Sequence, residues 1–324
     1  MVSSLAGRTR VWGNRRLLTS VLATRKAVTL YCELAPTGPI HLGILRMLVQ
    51  MDILRSELVC QGVVVSMIIR INDRYSVRRG SYGATDATIG RSILDINDPD
   101  ESAKSIYSKS LSDLQRAVAA LNIQVHRWIK VSDLYADSAF QEKIWLAWRE
   151  RESVEQILRR HADRFDQIIF PRCDNCRRCY LTKIEPSKNS STYQCTCGFS
   201  GHVSRDLNGG LISFKIENAI VWEHLGVDVD FHGADHFDAA QASCEVLKVL
   251  FSRECPMNFV VNLTLGSDGK VMRKSRRNFR SIVEYKGDLP WMNLVELLAR
   301  VPVNLLWRPS CPLRLHRTSS RSIP

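Results

Sequence analysis

Residues 27–73 constrain the fold more than any other stretch. "AVTLYCEL" (27–34) is a short apolar run rich in strand formers, and "GVVVSMIIRIND" (62–73) is a second. Between them Leu42, Leu45, Leu48, Val49, Ile53, Leu54 and Leu58 recur at helical spacing. Strand, helix, strand in so short a span predicts a βαβ unit: two parallel strands joined by a right-handed crossover. Parallel strands are buried on both faces, so the rest of the chain must supply covering helices. Helical periodicity returns at 103–121, 141–164, around 219–225 and at 237–251. "VHRWIKVSD" (125–133), "VDVDFHGADH" (227–236) and "NFVVNLTLG" (258–266) read as strands. The predicted fold is α/β, a Rossmann-like parallel sheet interrupted by a small module.

The junction inside that unit reads "LAPTGPIHLGILR" (34–46). The strand ends at Leu34, Pro36 and Gly38 turn the chain, and His41 and Gly43 fall on the first turn of the helix. A helix amino terminus offers unpaired N–H groups and partial positive charge, which suits phosphate. His41 can donate to a phosphate oxygen, and Gly43 lets a ribose or ring approach the backbone. A turn carrying a satisfied surface histidine is the plain alternative.

Charge gives a direction. The 324 residues hold 45 Lys and Arg against 33 Asp and Glu, a formal charge of +12. Such a chain attracts polyanions: nucleic acid, anionic membrane or phosphorylated ligands. A solubility charge with no partner is the other reading. No apolar run approaches the roughly 20 residues of a membrane span, so no membrane role is expected. Residues 1–26 carry six basic residues and no acid. They read either as an organelle leader or as a basic amphipathic helix, with Leu17, Leu18, Val21 and Leu22 at helical spacing favouring the helix.

Ten cysteines are unevenly placed: Cys173, Cys176, Cys179, Cys195 and Cys197 crowd together and five others are scattered. Cys173-x-x-Cys176 and Cys195-x-Cys197 make two thiolate pairs able to close a tetrahedral structural zinc site, with Cys179 and His202 as substitute ligands. Free thiols in a degenerated module are the alternative. The pattern suits a reducing, cytoplasmic setting.

A second basic segment, "GSDGKVMRKSRRN" (266–278), packs Lys270, Arg273, Lys274, Arg276 and Arg277 into one loop. Alone it reads as a solvated basic loop. Paired with the 34–46 junction it resembles the two signatures of class I aminoacyl-tRNA synthetases: His41-Leu42-Gly43-Ile44 and Val271-Met272-Arg273-Lys274-Ser275. The region between, "FPRCDNC…YQCTCGFSG" followed by Gly233-Ala234-Asp235-His236, resembles the zinc insert and following segment of class I lysyl-tRNA synthetase. The resemblance covers residues 28–285.

That resemblance implies a class I synthetase core of the HUP type. It divides into a basic helix or leader (1–27), a first half of the nucleotide-binding core (28–165), a zinc-ribbon-like insert (166–212), a second half with the signature loop (213–285) and a tail (286–324). It implies ATP-dependent formation of an aminoacyl-adenylate, with Mg2+ accompanying ATP, zinc structural, and transfer to tRNA. Lysine is the favoured amino acid. It places Pro36, Gly38, His41, Gly43, Lys270 and Lys274 at ATP, and gives catalytic roles to His41, Lys274 and Ser275. It places Glu33, Ala35, Trp222, Asp235 and His236 at the amino acid. Glu33 reads either as the partner of a cationic side chain or as a strand-end charge. Val271 and Ile44 depart from the signatures, and residues 286–324 leave room for one helix where family members carry an anticodon-binding domain. The expectation is therefore a catalytic core whose acceptor is tRNA, bound weakly and without regard to anticodon, or another amine or thiol. The rival is a non-catalytic nucleotide- or RNA-binding relic.

Overall fold

The computed structural model describes residues 15–79, 81–98, 103–161, 167–180, 182–186, 191–261 and 303–306. The basic segment holding Lys270, Lys274 and Ser275 lies outside them.

After helix α1 (Arg15–Leu22), strand β1 (Ala27–Leu34), helix α2 (Leu42–Cys60) and strand β2 (Val64–Ile71) form the expected βαβ unit. Helix α3 (Ile106–Ala120) and strand β3 (Arg127–Lys130) extend the sheet in one direction. Three short helices follow, α4 (Val131–Ala136), α5 (Ser138–Arg149) and α6 (Arg151–Arg160). The cysteine-rich region contributes β4 (Ile169–Phe170), β5 (Thr182–Pro186), β6 (Ser191–Cys195), β7 (Ser200–His202) and β8 (Leu211–Ile212). The chain then returns through α7 (Phe214–Leu225), β9 (Val229–Gly233), α8 (Phe237–Phe251) and β10 (Met257–Val261); β11 (Val303–Leu306) closes the described residues. The main sheet runs β11-β10-β9-β1-β2-β3, and only β11 is antiparallel to its neighbour.

Strand order explains where a ligand belongs. From β1 the chain moves outward to β2 and β3, then returns to the opposite side of β1 for β9 and β10. The order reverses between β1 and β9, and a crevice opens at the carboxyl ends of strands around such a point. The two faces differ. Leu30, Cys32, Leu34, Met67, Ile69, Val229, Phe231 and Phe259 point into one core against α2 and α3. The alternate residues Tyr31, Glu33, Arg70, Asp230, His232 and Asn258 point the other way, beneath the helices that include α7, and several are polar.

The structure differs from the sequence reading at some edges. The strand predicted over 125–133 stops at Lys130, because Asp73, buried at the end of β2, takes the Ser132 N–H at 2.9 Å and starts α4 there. The single helix expected over 141–164 is two, breaking at Glu150; α5 starts early, at Ser138, where the Asp137 side chain caps it. The helix expected around 219–225 begins at Phe214. Cys244 and Cys255, read as scattered thiols, are joined as a disulfide. Among the described residues no helix is long and apolar enough to cross a membrane.

Candidate active site

Local sequence builds the mouth of the crevice. β1 ends at Leu34, and α2 opens at Leu42 with His41 as its extended N-cap residue. Between them Gly38 adopts φ +136°, open to glycine, and a Cβ there would lie 2.9 Å from Tyr82. Ser110 fixes the turn from below: its hydroxyl donates to the Gly38 carbonyl (2.9 Å) and accepts the Gly38 N–H (3.0 Å). Pro36 and Gly38 are both buried. They shape the turn that presents His41, and they do not line the cleft.

That cleft has a volume of about 570 Å3, within the range of small-molecule sites. Its walls bring together His41, Gly43 and Ile44 from the start of α2, Glu33 and Ala35 from the end of β1, and Asp235 and His236 after β9. Residues some 200 positions apart in sequence therefore share one space. Trp222 is the correction. It is fully buried in the core beneath α7 and absent from the cleft wall. A large apolar ring in the middle of a covered helix gains more from the core than from a wet cleft. From α7 the cleft receives Phe214, Glu217 and Asn218 instead.

The floor is a network that the sequence reading missed. The Arg70 guanidinium is wholly buried, donating to Glu217 at 2.9 Å, to Asn218 at 3.3 Å, and to Glu33 in a close ion pair. Asn72 donates to the other Glu33 oxygen at 2.8 Å. Tyr135 donates to Glu217 at 2.6 Å and accepts the Ile212 N–H at 3.0 Å. Burial works against the charge on Arg70, but the Glu33 and Glu217 carboxylates outweigh it and hold its pKa above the usual arginine value. Burial pushes Glu217 up, and Arg70 pulls it back. Glu33, on the cleft wall, thus already has a buried cation, Arg70, as its ion-pair partner. One signal was available, a charged residue inside the apolar run "VVVSMIIRIND", since a charge in a buried strand needs a counter-charge.

The cysteine module stands beside the cleft. The four Sγ atoms of Cys173, Cys176, Cys195 and Cys197 lie within 4.8 Å of one another, with Cys173–Cys197 at 3.7 Å and Cys176–Cys195 at 3.6 Å. A regular tetrahedron with zinc–sulfur bonds of about 2.3 Å has sulfur–sulfur edges of about 3.8 Å, so the residues present fit zinc. The short Cys-x-Cys spacing works because Gly198 turns at φ +89°, bringing the chain back so that Cys195 N–H bonds to Phe199 O at 2.8 Å. Neither substitute ligand joins the cluster. Cys179 is buried elsewhere, with its N–H donating to Gly90 O at 2.7 Å. The next residue, Tyr180, reaches the cleft wall, where its hydroxyl accepts from Arg78 at 3.1 Å and the guanidinium stacks 5.2 Å from its ring.

A parallel sheet with a cleft at its switch point and a helix amino terminus on the rim defines an α/β protein of the Rossmann-like class. The chain belongs to the family described as tRNA synthetases class I (K), whose model matches residues 15–287. It is similar to the lysine–tRNA ligase of Archaeoglobus fulgidus, 25% identical over 69% of this chain and 47% of the relative. It is likewise similar to that of Methanosarcina barkeri, 26% identical over 73% of this chain and 46% of the relative. The chain spans about half the length of these curated relatives. Among solved structures, tyrosyl-tRNA synthetase from Aeropyrum pernix aligns over 86% of this chain and 66% of its own, at 15% identity and a TM-score of 0.49.

Proposed function

We propose that this chain activates an amino acid with ATP, lysine being favoured, and passes the aminoacyl group to tRNA. The observation that carries the reading is the convergence of His41 and Gly43, at the start of α2, with Asp235 and His236, after β9, on one cleft. In this reading the substrate carboxylate attacks the α-phosphate of ATP in line, forming the aminoacyl-adenylate and releasing pyrophosphate. The protein contributes position and charge rather than covalent chemistry. The α2 amino terminus and His41 hold phosphate oxygens at the mouth. The match of the basic segment to the second signature gives Lys270, Lys274 and Ser275 their roles at the phosphates, and Mg2+ accompanies the nucleotide. The four cysteines hold zinc, whose contribution is structural, because all four positions are protein thiolates. Family membership and the names of the relatives support both the chemistry and the choice of lysine.

The experiment is single-turnover adenylate formation by His41→Ala and Lys274→Ala. Groups that meet charge developing in the transition state change the rate more than the binding of the ground state. Each variant is expected to lose roughly 100- to 1,000-fold in rate, with ATP affinity changed much less. A wild-type rate constant in both variants would refute these roles.

A further inference from the structure

We propose that Tyr31 and Asp230, neighbours on the floor of the cleft, form the subsite for the terminal ammonium of the substrate's side chain, and that Glu33 does not. The assignment rests on the reading of the cleft as an amino-acid-activating site. Tyr31 on β1 is the register partner of Asp230 on β9, and both line the cleft while 1% and 4% exposed. The Tyr31 hydroxyl has no hydrogen-bond partner among the described residues. The other two floor carboxylates are engaged: Glu33 by Arg70 and Asn72, Glu217 by Arg70 and Tyr135. Asp230 forms no ion pair among the described residues. A buried carboxylate beside a buried, unpartnered hydroxyl is costly to keep unless something arrives to satisfy both. An ammonium has three donors and no acceptor, and both oxygens can accept from it.

Depth selects the side-chain ammonium over the α-amino group. The reacting carboxylate belongs at the mouth, near His41. Tyr31 sits two residues deeper along β1 than Glu33, roughly 6.6 Å further from the mouth. That is the reach of an unbranched side chain extending downward from a carboxylate held at the rim.

The surroundings of Asp230 give a second readout. It is faced by Tyr31 and Glu33 from β1, with the Cys32 thiol nearby, by Arg70 from β2, His232 on its own strand, Asn258 on β10, and Trp222 from α7. Burial pushes its carboxyl up to about 6, the His232 charge opposes this, Glu33 adds to it, and the Trp222 indole lowers it. A carboxyl whose folded pKa exceeds its unfolded one binds more protons when folded, so its ionisation destabilises the fold as pH rises from about 4 to 6. Asp230→Asn removes that penalty. Its melting temperature at pH 7 is expected at or above wild type, the gap closing toward pH 4, so loss of binding is separable from loss of fold.

The test is calorimetric titration of the full chain with L-lysine, L-norleucine and ATP. For L-lysine, Asp230→Asn is expected to weaken binding on the order of 100-fold and Tyr31→Phe about tenfold. Norleucine, which lacks the side-chain ammonium, and ATP should bind each variant as they bind wild type. Wild-type lysine affinity should fall below about pH 6. Unchanged lysine binding by Asp230→Asn would overturn the assignment, and so would equal weakening of lysine and norleucine. A wild-type chain that prefers an amino acid without a side-chain ammonium would remove the assignment and leave activation standing. One that binds ATP but no amino acid would remove both.

Discussion

Arg70→Ala is expected to destabilise the fold by about 3–5 kcal/mol, the cost of leaving buried carboxylates without their cation. Two acids depend on this guanidinium, Glu33 and Glu217, and it is itself wholly buried between β2 and α7. Without Arg70 the burial of Glu217 is no longer opposed, so the variant can relieve the unpaired charge by taking up a proton there, and its folded state binds more protons than wild type does. Its deficit should therefore be greatest near neutral pH and shrink as pH falls toward the ordinary carboxylate range. In thermal melts at pH 7 the midpoint should drop by about 10 °C. Replacing both carboxylates as well, in Arg70→Met with Glu33→Gln and Glu217→Gln, should recover most of the loss, because the penalty comes from the broken set rather than from the missing ion pairs. A single Arg70→Ala variant with wild-type stability would show that the network contributes nothing.

Cys173→Ser should release the metal and unfold the module. About one zinc per chain is expected to co-purify, and substitution or chelation should remove it. For small sites of this kind metal binding supplies most of the folding free energy, about 10–16 kcal/mol in finger peptides. Cys173 is also the hinge of a tight loop: its N–H bonds to Arg178 O at 3.0 Å, and its carbonyl accepts the Arg177 N–H at 2.8 Å. That loop delivers Cys179 to Gly90 and Tyr180 to Arg78 at the cleft wall. Loss of zinc is therefore expected to open residues 173–202 to protease and to lower amino-acid affinity, while the melting transition of the main sheet persists. Metal analysis finding no zinc in protein prepared without chelator would contradict the site.

Some of this was legible in the sequence for identifiable reasons. The run "AVTLYCEL" became β1 over its full length, because strand formers bounded by Pro36 and Gly38 leave little alternative. The four cysteines were legible from spacing, since thiolate pairs on turns are a local pattern. The floor network was not. Arg70 and Glu217 are 147 residues apart, and no local pattern links them. Tyr31 and Asp230 lie in strands whose alternation of polar and apolar residues ordinarily means one wet face, and here α7 covers that face. Trp222 was misplaced for the converse reason: an aromatic residue near a suspected site was read as a ligand contact when its helix buries it.

The measurement that bears most directly on the central claim is exchange of labelled pyrophosphate into ATP, run with each of the twenty amino acids and without tRNA. Exchange requires reversible adenylate formation and nothing beyond the cleft. The prediction is exchange that depends on one amino acid, lysine, and is slowed roughly 100- to 1,000-fold by Lys274→Ala. Absence of exchange with every amino acid, from a chain that binds ATP and holds its zinc, would contradict the claim and leave a nucleotide-binding protein that activates none of them.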